Sequence, residues 1–163
     1  MGAQLTPGAL GRTETEMTET PNYISNTEEL VGIFGRWPSF HDSEVITLRL
    51  EREGPGEFDG PELFVTFHLF QGRADPSRDA GVSWHNHVLA TFRFARVSEL
   101  EIVGFNNQNA VFDLKVEPTA EPKASLLLVT IESSFGMAAS FLCSAVAVDN
   151  VERRAPTRSV YLD

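Results

Sequence analysis

Apolar side chains recur at every second position along much of this chain, and only an extended backbone gathers such residues onto one face. Ile46, Leu48 and Leu50 alternate with Thr47, Arg49 and Glu51. Leu63, Val65, Phe67 and Leu69 repeat the pattern within 62–71, and Val88, Ala90, Phe92 and Phe94 within 84–97. Phe64 and Phe70 fall on the opposite face, so that strand is expected to be covered on both sides. Segments 100–105, 110–116, 126–132 and 137–148 carry further strand signals, with Phe112 and Leu114 sharing a face in the second of these. Runs of Gly, Pro and charge separate the strands, and Asn106-Asn107 suits a tight hairpin turn. Helices do not alternate with strands. The expected fold is therefore α+β and mainly β: a short N-terminal helix packed on a curved, mostly antiparallel, meandering sheet of about seven strands.

The helix signal precedes the first long strand. Ser25 or Asn26 can cap it, Glu28 and Glu29 favour its positive end, and Leu30, Ile33 and Phe34 form the buried stripe. Gly35 is placed to end it in a left-handed cap. Pro38 then fixes its own φ and pushes Trp37 out of the helical region. Trp37 and Phe40 bring large apolar areas to this corner, which is expected to anchor the core.

Residues 1–22 read as a disordered tail and 23–163 as a single globular domain. The stretch Thr13–Thr20 has no hydrophobic period, and Met17 is an alternative start. Formal net charge is −10, and residues 1–29 supply five acids and one base of it. An acidic chain does not suit sequence-independent nucleic-acid binding, which needs cations to displace phosphate counterions. It suits a basic protein partner or simple solubility. The single cysteine allows no internal disulfide and fits a reducing compartment. With no leader-like start and no membrane-length apolar run, a soluble cytoplasmic protein is expected.

His85 and His87 are two apart on an expected strand and so would share a face, which is how a metal site can begin. A third ligand, from His41, Asp42 or His68, would depend on the fold, and unliganded surface histidines are the plainer reading. His41-Asp42, with Glu44, has the makings of an acid–base cluster. The plainer reading makes Asp42 a turn-former that accepts backbone N–H groups. Cys143 lies in an apolar strand with no nearby cation and reads as an inert buried thiol. No nucleophile elbow, phosphate loop or dinucleotide fingerprint occurs. No catalytic residue and no cofactor are assigned. The amides Asn106–Asn109 fit either partner recognition or turn formation.

Ile33-Phe34-Gly35-Arg36-Trp37-Pro38-Ser39-Phe40-His41-Asp42-Ser43-Glu44-Val45 resembles the opening signature of bacterial immunity protein family fifty of polymorphic toxin systems. Glu101 to Asn109 and Phe141-Leu142-Cys143 resemble its later segments, so the likeness spans roughly residues 30–150. The resemblance implies a cytoplasmic protein that neutralises a cognate toxin domain by binding it stoichiometrically. Trp37, Pro38, Phe40, His41 and Asp42 are then fold determinants. Specificity would lie in the loops 51–62, 72–81 and 117–121. Glu53, Glu57, Asp59, Glu62, Asp75 and Asp79 are the expected contacts to a basic cleft. The rival readings are a small histidine- or metal-dependent enzyme, and a homodimeric binding module joined through a strand edge with no toxin partner.

Overall fold

A computed structural model describes residues 19–53, 60–74, 82–120 and 125–154. Among them are β1 (Ile24–Ser25), α1 (Glu28–Phe34), β2 (Glu44–Glu51), β3 (Glu62–Ala74), β4 (Val82–Ala95), β5 (Ser98–Val103), β6 (Ala110–Pro118), β7 (Leu127–Phe135), β8 (Ala138–Cys143) and β9 (Ala145–Arg153). Among the described residues the fold is mainly β with one short helix. The strands form a single mixed sheet of nine, in the order β1-β9-β4-β3-β2-β6-β7-β8-β5. Every pairing is antiparallel except β1 with β9. The two strands beyond the expected seven arise at β1, too short for a pattern, and at Ser144. That residue divides the expected 137–148 strand into β8 and β9.

The sheet has two halves. β2-β3-β4 and β6-β7-β8 are each meanders, and they meet where Glu44 pairs with Ala110. The rings of Phe94 on β4 and Phe141 on β8 lie 4.9 Å apart, edge to face, although four strands separate β4 from β8 in the sheet order. The two halves therefore face one another across a shared core, and their inner residues belong to one buried cluster. Both β4→β5 and β8→β9 cross between the halves after only one or two residues. Ser144 donates its backbone N–H to the Ala95 carbonyl at that crossing, at 2.9 Å. Because β4 pairs β9 and β5 pairs β8, this two-stranded ribbon bends from one half into the other. The bend takes β5 to the far edge. No Asn106-Asn107 hairpin forms, and β6 pairs instead with β7 and β2.

The helix spans two turns. Thr27 is its N-cap and makes no side-chain cap bond, so neither Ser25 nor Asn26 fills that role. Gly35 ends it at φ 75°, giving its N–H to the Val31 carbonyl at 2.7 Å. Leu30 and Phe34 are buried in the same cluster as the inner sheet residues. Trp37 and Phe40 then enter the core. Their rings meet Phe92 at 6.1 and 5.6 Å, and Phe40 also meets Phe67 at 5.1 Å. Such a cluster adds directional ring contacts to the burial of four large apolar side chains.

Two bulges change faces expected from strict alternation. A register shift between Val45 and Thr47 leaves Ile46 exposed, and Leu50 near the strand end is exposed as well. Another between Val111 and Asp113 sends Val111 into the core and Phe112 to solvent. An extra residue in one strand reverses the phase of the residues beyond it, and side-chain spacing cannot reveal it.

Candidate functional site

The corner after the helix shapes a shallow open cleft of about 350 Å³. It is lined by Phe34, Arg36, Pro38, Ser39, His41, Asp42, Phe70 and Gln71. Trp37 and Pro38 are buried here, whereas His41 and Asp42 are exposed. His41 Nδ1 lies 3.0 Å from Asp42 Oδ2, and the His41 ring packs 5.2 Å from Phe112. Asp42 adopts φ 65°, a conformation that Asp tolerates better than most residues. Ser43, not the Asp42 carboxylate, fastens the turn: its hydroxyl donates to the Phe40 carbonyl at 2.6 Å.

Strict alternation is broken between His85 and His87, and the His85 side chain lies outside the described residues. Asn86 between them has φ 53°, and the β3–β4 register shifts opposite Phe70. The neighbour of His87 is His68, whose Nε2 lies 3.1 Å from His87 Nδ1. One ring must donate and the other accept, so at least one imidazole of the pair is neutral. Burial, followed by the charges of His87 and Arg154, lowers the His68 pKa, with Glu44 opposing them. Among the described residues no trio of His, Cys, Asp or Glu converges to hold a metal ion. Cys143 is buried, and that burial pushes its thiol up to about 12, far from a reactive thiolate at neutral pH.

The amide run is a seam. Asn109 is buried where β2 meets β6. Its side-chain amide donates to the carbonyls of Asn106 at 2.7 Å and Val45 at 3.4 Å, and its backbone carbonyl accepts the Val45 N–H at 3.0 Å. Its own backbone N–H donates to Glu44 Oε1 at 3.3 Å. Gly104 and Gly136 pack backbone to backbone beside it, both at positive φ.

Of the carboxylates expected to meet a partner, Glu53 is exposed, and Glu57, Asp59, Asp75 and Asp79 lie outside the described residues. Glu62 is fully buried, and its two oxygens have no hydrogen-bond partner among the described residues. Facing Glu51 across the ladder, it lies beneath the surface and does not belong to a docking rim.

A surface that the sequence pattern does not mark lies on the outer face of β5-β8-β7-β6. Directly paired residues share a face. One row across it is Glu101, Ser140, Thr130 and Lys115; the next is Ser98, Leu142, Leu128 and Glu117. At its corner Val103, Phe105 and Phe135 are 54, 49 and 58% exposed. Phe105 follows Gly104 and Phe135 precedes Gly136, so the two glycines bring both rings to one corner.

The profile for immunity protein 50 matches residues 26–153, from the residue before the helix cap to the last residue of β9. The chain belongs to the immunity protein 50 family. No curated protein and no solved structure gives a significant match. The immunity protein 50 match covers every element except β1, so the family framework includes both halves of the sheet and the seam at Asn109. The family name points to a non-enzymatic role and, in general, to a toxin as partner. Among the described residues no helix is long and apolar enough to cross a membrane.

Proposed function

We propose that this protein binds a cognate bacterial toxin domain in the cytoplasm and neutralises it by stoichiometric occlusion. The observation that carries this reading is the family match across nearly the whole strand framework. Two features support it. Net charge is −10, which suits association with a basic partner surface. The titratable clusters have plain structural explanations: His68 and His87 satisfy each other, and His41 pairs with Asp42 in an open turn. Toxin activity would be lost because the partner's working surface is covered, with no chemistry performed on it. The test is co-expression with the toxin domain encoded by the neighbouring gene. Growth is expected to be restored by the intact chain and not by a Trp37→Ala, Phe40→Ala variant that loses the core. Failure of the well-folded wild-type chain to rescue growth would overturn the proposal.

A further inference from the structure

We infer that the toxin docks on the outer face of β5-β8-β7-β6, through a centre of Ser140 and Thr130 beside Leu142 and Leu128, ringed by carboxylates. This inference rests on the immunity reading above and assigns it a surface.

Three observations carry it. First, the strands of this half bear Glu99, Glu101, Asp113, Glu117 and Glu132 against one cation, Lys115, whose Nζ lies 2.8 Å from Glu132 Oε1. The strands of the other half carry five acids and four bases and are nearly balanced. Second, Ser140 and Thr130 at the middle of this face present little bulk. Another folded surface can lie flat on them without displacing anything. Third, Val103, Phe105 and Phe135 give the acidic face an exposed apolar corner, of the kind that anchors protein interfaces.

The occupant that fits is a folded protein domain carrying Lys or Arg around an apolar patch. A second copy of this chain is a poor occupant, because two-fold stacking would set the same carboxylates against each other. The β5 edge is blunted against self-pairing too, by Glu99 at φ 51° and a register shift between Ser98 and Glu101.

The test titrates the catalytically inactivated toxin domain of the neighbouring gene into full-length protein by calorimetry. Ser140→Arg with Thr130→Arg puts bulk and positive charge at the centre and is expected to weaken binding about 100-fold. Glu101→Lys with Glu117→Lys changes only exposed rim positions, keeps the fold, and should weaken binding about tenfold through slower association. Thr47→Arg, on the outer face of β2, is the control and should stay within about twofold of wild type. Loss in the rim variant beyond about fivefold, with the control unaffected, supports the assignment. A loss below that in both variants, or an equal loss in Thr47→Arg, overturns the surface while leaving immunity intact. A wild-type chain that does not bind the toxin overturns both.

Discussion

The two halves of the sheet share a core but treat their outer faces in opposite ways. On β2-β3-β4 the outward side chains occupy one another. The Arg49 guanidinium lies 4.2 Å over the Phe64 ring, the hydroxyls of Thr66 and Thr91 lie 2.9 Å apart, and His68 meets His87. On β6-β7-β8-β5 the outward positions carry Ser140, Thr130, Leu142 and Leu128 among carboxylates and the single cation Lys115, and large apolar groups stand in solvent at one corner. The inner faces differ less: Trp37, Phe40, Phe67 and Phe92 fill one region and Phe94 and Phe141 bridge to the other. A sheet face whose groups are mutually satisfied contributes stability. A face left open contributes surface for another molecule.

The largest effect expected from this contrast separates two phenylalanines. Phe92→Ala empties a fully buried ring site and should cost about 3–5 kcal/mol in denaturant unfolding. Phe135→Ala should change stability by less than about 0.5 kcal/mol, because more than half of this side chain is already exposed to water. Similar losses for both would erase the distinction between the halves. Next in size is Gly136→Ala, expected to cost about 2 kcal/mol or more. It forces φ 83° on a residue with a side chain and puts that carbon 2.3 Å from the Gln108 carbonyl oxygen. An unchanged melting temperature would mean that the backbone around Gly136 can move away from Gln108, and that the corner holding Phe105 and Phe135 is not tightly packed.

Glu62 is the exception on the occupied half, a buried carboxylate with neither oxygen satisfied among the described residues. Glu62→Met should therefore raise stability by about 1–2 kcal/mol, and a clear loss would show that the carboxylate is paired in solution. The smallest effect concerns His68. Its pKa is lowered in the folded state, so below its ordinary value of 6.5 the unfolded chain takes up the proton more readily. Stability should be complete above pH 6.5 and decline as pH falls through the window beneath it. His68→Gln should flatten that decline in melts taken from pH 7 to 5, and an unaltered slope would place its cause elsewhere.

Much of this molecule could be read from spacing. Leu30, Phe34 and Gly35 reveal the helix and its end, because 3.6-residue periodicity and a left-handed cap leave marks on local sequence. Leu63 to Leu69 and Val88 to Phe94 reveal their buried faces for the same reason at period two. Trp37-Pro38 announces the corner, since proline restricts the residue before it. All of these depend on neighbours within a turn or a strand.

The remaining features belong to contacts between distant residues. That Ser144 meets Ala95, so that a ribbon folds one half of the sheet over the other, has no local signature. Nor does the pairing of His68 with His87, the burial of Glu62, or the gathering of Phe105 and Phe135 by two close-packed glycines. Local sequence by itself determined which segments are extended and which faces are apolar, because alternation is a property of the backbone repeat. Only the tertiary structure decided which strands are neighbours and which outer face stays open, because that choice is made by long-range packing and by bulges that shift phase without changing composition.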